Sequence, residues 1–345
     1  MLINLLQIYT GWSTSGKYAC PYCMEDTDAF YLTHGHKMCW FDCARRFTEE
    51  DHRFRNNRND FKKGRRVRSS PPVLRDGYEI LDQIDSMGLV KITEVGAEEH
   101  NAAVSRGSGW KKKSILWDLP YWASLRVRHN LDVMHIEKNV FDNAFFTILD
   151  VPGKSKDNLK ARKDLKDLCR RPELEPDEEE NRYPKACYTL DRHEKQVLLE
   201  WLKTVKFPDG YVSNLSRCID MHKLRLFGMK SHDCHVFMQR LLPVAFRAFL
   251  EDKVWEPIAQ LSAFFRDLTC YELKSKVVMN LHTEIPIILC KLERIFPPGF
   301  FDSMEYLPIY LPREASICGP VQYKWMYPFE RYVKLILLLK LKFSG

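Results

Sequence analysis

The stretch RHNLDVMHIEKNVFDNAFFTI, Arg128 to Ile148, decides how this chain is built. Its apolar residues Val133, Ile136, Val140 and Ala144 recur at helical spacing, which predicts one amphipathic helix with that stripe buried. Glu137 follows Ile136 and lies four residues from Val133, so its carboxylate borders the apolar face. His129, Asp132 and His135 follow one another at steps of three and would share a neighbouring face. Acids and histidines beside a buried stripe suit a site for a divalent metal ion. They suit a structural polar network equally well, because ion-pair networks perturb side chains much as active sites do.

Around this helix, 345 residues can bury one large core or two moderate ones, and a composition 45% hydrophobic and 12% aromatic excludes a disordered chain. The formal net charge of +7 is compatible with a nucleic-acid partner without demanding one. The 11 cysteines are scattered, with one pair at CxxC spacing, and MLINLLQIYT at the start has neither a basic n-region nor a cleavage site. Reduced thiols with one metal site at most are therefore expected, not a disulfide framework. The terminal run VKLILLLKLKF is too short to span a membrane and contains lysines. The expectation is a soluble intracellular protein with no membrane partner and no small-molecule cofactor.

Upstream of the helix, Cys20 and Cys23 (CPYC) form a knuckle whose two sulfurs can reach one tetrahedral ion, and His34, His36, Cys39 and Cys43 follow within zinc-finger distance. Buried or free thiols without a metal are as reasonable a reading. The run HRFRNNRNDFKKGRRVRSSPPVLR is basic, poor in apolar residues and ends in Ser-Ser-Pro-Pro, which reads as a mobile linker or insertion. Its cations Arg53, Arg55, Arg58, Lys62, Lys63, Arg65, Arg66 and Arg68, interleaved with Phe54 and Phe61, could track a phosphate backbone or merely coat a solvated loop. Residues 77–92 carry helical spacing, and Trp110, Trp117, Tyr121 and Trp122 read as core rather than as a base-stacking platform.

Downstream, residues 151–187 shift from basic to acidic between prolines and read as a short charged helix and a linker. Residues 188–345 read as mostly helical: Val197, Leu198, Trp201 and Leu202 form one stripe, and Pro243 marks a kink or helix join in CHVFMQRLLPVAFRAFL. The cluster His232, Asp233, Cys234 and His235 is read as structural, since histidines near helix starts commonly cap backbone or pair with carboxylates.

HNLDVMHIEKNV, GWSTSGKYACPYC, WFDCARRF, KSHDCHVFMQRLLPVAFR and GPVQYKWMYPFERY together resemble the transposases of plant CACTA (En/Spm-type) transposons along nearly the whole chain. The resemblance implies an α/β remnant over residues 1–150, an incomplete RNase H-like core with a Cys/His knuckle inserted at 20–44. A linker at 151–187 then leads to a mostly α-helical domain of unknown function at 188–345, with its core at 230–332. It implies Glu137, and less strongly Asp132, as the vestigial last catalytic acid. It narrows a structural zinc site to Cys20, Cys23, His34 and Cys43, with His36 and Cys39 as substitutes. The second histidine of the family pattern falls here on Ala44, and Tyr306 and Tyr310 stand where relatives tend to carry histidines. Where those transposases carry an upstream catalytic aspartate, MLINLLQIYT has no acid, and relatives continue beyond KLILLLKLKFSG, so a truncated chain is expected.

Three-acid, two-metal chemistry needs every carboxylate, so the expectation is a transposon-derived protein without strand transfer. It would retain binding to DNA at transposon ends or to full-length transposase, with zinc structural and magnesium or manganese relevant only if it is catalytic. Nuclear location follows from the resemblance, with KKGRRVR (Lys62 to Arg68) compatible as an import signal. A domesticated host DNA- or protein-binding module is the alternative. A metal-dependent nuclease using Asp42, Asp118, Asp132 and Glu137 is the third reading.

Overall fold

The computed structural model describes residues 11–91, 96–177, 179–208, 211–212 and 214–326. MLINLLQIYT and KLILLLKLKFSG therefore lie outside the described residues. The described chain is mostly helical. Its sheets are two short antiparallel pairs, β1 (Phe30–Leu32) with β2 (Lys37–Cys39) and β3 (Ile219–Asp220) with β4 (Arg225–Leu226). Among the described residues, positions up to 150 thus contribute one small hairpin, and the α/β layering expected there is not seen. The backbone of this half is satisfied in another way. Buried Arg45 donates to the carbonyls of Phe54, Arg55 and Asn57, and buried Arg55 donates to those of Arg46 and Thr48. Guanidinium forks do here what neighbouring strands would do in a sheet. The same bonds pin the basic run that its composition suggested was mobile.

The helices run α1 (Arg53–Asn56), α2 (Gly77–Ser86), α3 (Ala97–Val104), α4 (Val133–Ile148), α5 (Leu159–Leu168), α6 (Arg192–Thr204), α7 (Ser231–Val236), α8 (Leu242–Arg247), α9 (Asp252–Leu268), α10 (Ser275–Glu293), α11 (Ser303–Tyr306) and α12 (Leu311–Cys318). Helix α4 is the helix read from the decisive stretch, but it starts five residues later than Arg128. Asp132 is its N-cap and accepts from Met134 N and His135 N, while Asn130 sits in the left-handed region at φ +46°. His129 therefore precedes the helix, and the expected histidine–aspartate–histidine face does not form. Val133, Ile136, Val140 and Ala144 are all buried, as the stripe requires.

Helix α4 packs on α7 and α11, and α9 lies between α8 and α10. Phe141 and Phe145 of α4 meet Phe237 with ring centroids 5.2 and 5.3 Å apart, and Phe145 reaches Phe246 at 5.8 Å. Such buried aromatic pairs contribute about 1 kcal/mol each beyond their burial. Between α7 and α8 the chain makes one wide π turn, Phe237–Leu241, with Pro243 in the first turn of α8. Proline supplies no N–H and its ring crowds the carbonyl four residues back, so the widened turn accommodates the helix join.

One hydrophobic cluster extends from Ala19 to Val321 and includes Val151, Leu165, Cys169, Leu174 and Ala186. Within the charged segment 151–187, Arg162 is buried on Asp157 and also donates to Leu174 O, while Tyr188 donates to Asp157 at 2.8 Å. A satellite cluster holds Trp12, Trp110 and Trp117 against Ile80 and Ile84. Gly109 lies so close beneath the Trp12 ring that an added Cβ would sit 2.2 Å from it. Tyr121, expected in the core, is exposed. On α6 the buried residues are Leu198, Leu199 and Leu202, so the stripe is turned from the expected one and leaves Val197 and Trp201 at the surface.

Candidate functional site

Glu137 is the carboxylate that α4 drives into the molecule, with no exposed surface. Helix α7 and the π turn supply its partners. His235 Nδ1 lies 2.5 Å from one carboxylate oxygen, and Gln239 Nε2 donates to the other at 2.9 Å. Gln239 is itself held against Thr269 Oγ1 at 2.9 Å. Burial raises the Glu137 carboxyl above its ordinary range, and the bonds from His235 and Gln239 offset part of that rise. Both oxygens are thus engaged by protein groups. Asp132 is spent on the helix cap, Asp42 is buried on Arg45 at 2.8 Å, and Asp118 pairs with Lys91 at the surface. These four acids are not brought together and do not fit a two-metal centre, which needs carboxylates converging on both ions.

The second site is the CPYC turn. Cys20 and Cys23 are buried side by side, with Cys23 N donating to Cys20 Sγ at 3.4 Å. The chain end of α11 and the turn after it bring Tyr306 and Tyr310 over them, and each hydroxyl lies 3.0 Å from Cys23 Sγ. The Arg46 guanidinium reaches the same sulfur at 3.5 Å and the Tyr306 hydroxyl at 3.4 Å. Burial alone would push the Cys23 thiol up. Bonds from Cys20, Tyr306 and Tyr310, with Arg46 alongside, outweigh it and bring it down to about 7. Tyr22, between the cysteines, stacks on Tyr310 with centroids 4.7 Å apart and donates to the buried Glu314 carboxylate at 2.6 Å. His129 sits edge-on to Tyr22 at 5.3 Å, and burial lowers its imidazole to about 3, so it is neutral.

The zinc set Cys20, Cys23, His34 and Cys43 is not assembled. His34 sits at the β1–β2 turn, half-exposed, with Nε2 3.0 Å from Asp167. Cys43 is buried with its sulfur toward Phe41 O, and the substitute Cys39 donates to Pro298 O at 3.0 Å. His36 takes the left-handed conformation, φ +51°, in the same turn. Among the described residues no three His, Cys, Asp or Glu side chains come together so as to hold a metal ion. Hairpin geometry explains this: the tight turn throws its histidines outward while its cysteine points into the core.

Of the eight basic candidates, Arg53, Arg58, Lys63, Arg66 and Arg68 face solvent. Arg55 is structural, Lys62 is half-buried 3.4 Å above the Phe30 ring, and Arg65 lies 3.6 Å from Asp28. Next to this run, a cavity of about 920 Å³ is lined by Arg53, Lys185, Lys253, Lys291 and Arg294 together with Glu194 and Glu256. Its lysines and arginines are largely paired in place, Lys291 with Glu256 at 3.3 Å, Arg294 with Asp60 at 2.7 Å and Lys185 with Glu194 at 3.6 Å.

Sequence reasoning missed Tyr22, Arg46 and Glu314, and took Tyr306 and Tyr310 only as departures. The available signal was EYLPIY, two tyrosines four residues apart in an otherwise apolar run. No helix among the described residues is long and apolar enough to cross a membrane. No curated protein and no solved structure matches the chain. Two family models do: transposase family tnp2 over residues 4–87, which include the CPYC turn, and a domain of unknown function (DUF4218) over residues 268–341, which include Tyr306 and Tyr310. Together they support a transposase-related protein of transposon origin.

Proposed function

We propose that this is a CACTA-type transposase derivative, built on a remnant of an RNase H-like core, that binds DNA without performing strand transfer. The observation that carries this reading is Glu137. The acid that would be last in the catalytic set has both oxygens held by His235 and Gln239 inside the core. Two-metal chemistry needs several carboxylates converging on the ions, and among the described residues no three His, Cys, Asp or Glu side chains gather around Glu137 or elsewhere to hold one. Binding is assigned to the solvent-facing cations Arg58, Lys63, Arg66 and Arg68, which carry the charge and exposure that phosphate contacts require. The same KKGRRVR run would serve nuclear import.

The test is a paired assay on the purified chain with duplexes bearing transposon ends. With magnesium or manganese, no cleavage or joining is expected. Cleavage that disappears in Glu137→Ala would overturn the reading. Binding should weaken steeply with salt, and Arg58→Ala with Arg66→Ala and Arg68→Ala should lower affinity roughly 10-fold or more and flatten the salt slope. Unchanged affinity would remove the DNA-binding assignment and leave full-length transposase as the partner to test.

A further inference from the structure

Cys20 and Cys23 carry the C-x2-C spacing that places two sulfurs on one tetrahedral ion, and Tyr306 and Tyr310 carry the x3 spacing with which paired histidines complete Cys2His2 sites. The fold brings these two halves face to face from opposite ends of the chain, and all four side chains are buried. Both phenol oxygens converge on one sulfur at 3.0 Å. In a zinc site sulfur lies about 2.3 Å and imidazole nitrogen about 2.0–2.1 Å from the metal, so the two donors stand roughly 3.5 Å apart across it. The hydroxyls are closer to Cys23 than that and fill the volume an ion would take. An imidazole is shorter than a phenol, so its nitrogen would stop short of the sulfur and leave that volume open, and an inward shift of the turn carrying positions 306 and 310 would bring both nitrogens onto the ion.

Charge agrees with the geometry. Arg46, at 3.5 Å from Cys23 Sγ, is a fixed positive partner for one thiolate. Two thiolates, two neutral imidazoles and one divalent ion sum to zero, so Arg46 would remain as a hydrogen-bond donor to a ligating sulfur, the kind of outer partner that metal ligands commonly have.

We infer that Cys20, Cys23, Tyr306 and Tyr310 form a tetrahedral zinc-type site closed by hydrogen bonds in place of a metal, so that the seam stands without zinc here and becomes a zinc site when both tyrosines are replaced by histidine. No covalent or redox step is involved: two phenols leave and two neutral nitrogen donors enter, and zinc binding releases the remaining thiol protons.

Cobalt(II) titration of the full chain tests this, since tetrahedral thiolate–cobalt absorbs distinctively. The Tyr306→His, Tyr310→His double variant should take up one cobalt per chain with tetrahedral d–d bands and a thiolate charge-transfer band. Adding Cys20→Ser should abolish both, and zinc should displace the cobalt stoichiometrically. The natural chain should show no thiolate–cobalt band that Cys20→Ser removes. A folded double variant without the band overturns the proposal, as does a natural chain that already binds cobalt through Cys20. If the double variant does not fold alone, refolding with zinc should rescue it, because metal binding then adds to folding free energy. Failure to fold with zinc also overturns the proposal.

Discussion

Two buried seams join the first half of the chain to its carboxyl-terminal helices, and they solve opposite problems. At Glu137 a fully buried carboxyl has each of its oxygens fixed by one protein group, His235 on one and Gln239 on the other. At CPYC a sulfur is surrounded by Tyr306, Tyr310 and Arg46, side chains that reach it from two other parts of the chain. The first seam lies outside both family matches, whereas the second is made between them. The difference teaches that burial of a polar group does not by itself mark an active site. What counts is whether its partners leave it capacity for anything else.

The largest effect expected is at the first seam. Glu137→Ala strands His235 and Gln239 and opens a void, and should cost about 3 kcal/mol in urea unfolding. A loss below about 0.5 kcal/mol would mean the carboxylate is held ready for a ligand, and the contrast between the seams would collapse. At the second seam, Cys23→Ala leaves two hydroxyls and a guanidinium facing a gap and should cost about 2 kcal/mol. Tyr306→Phe and Tyr310→Phe should each cost about 1 kcal/mol, and a double-mutant cycle should show coupling, because both hydroxyls share one sulfur. Additive losses would mean the tyrosines act through packing alone.

The smallest effect is a change of slope with pH. Glu137 is held above its ordinary carboxyl value by burial, so the folded state keeps a proton that the unfolded chain gives up first. Stability should therefore fall as pH rises from the unfolded carboxyl value toward the folded one, and be unaffected by this group below both. Glu137→Gln should remove that part of the fall while keeping an oxygen for Gln239. An unchanged slope would place the pH sensitivity on Glu293 and Glu305, the other buried glutamates raised by burial.

How much of this was legible depends on the range of the interaction. The burial of Val133, Ile136, Val140 and Ala144 follows from a 3.6-residue period, and the pairing of His235 with a carboxylate was foreseeable in kind. That the carboxylate is Glu137, 98 positions earlier, was not, since no local pattern encodes a contact across so long a loop. Asp132 was misread for a related reason: as an i+3 neighbour of histidines it suggests a ligand, but its nearest unsatisfied donors are the N–H groups of its own helix start. Arg55 was invisible as a structural residue because a run of cations looks solvated until carbonyls are found at the end of one of them. Spacing left His34, His36, Cys39 and Cys43 open as partners of Cys20 and Cys23 and the family resemblance chose His34, yet a three-residue strand and a tight turn carry it to Asp167.

The Tyr22 hydroxyl meets Glu314 across 292 positions. A chain made from its amino end therefore displays CPYC, with both thiols bare, until Tyr306 to Glu314 have emerged. Contacts of such separation form late and slowly, so this seam should close last. The order of synthesis, more than the depth of burial in the finished molecule, then sets how long Cys20 and Cys23 stand open to oxidation or to a passing metal.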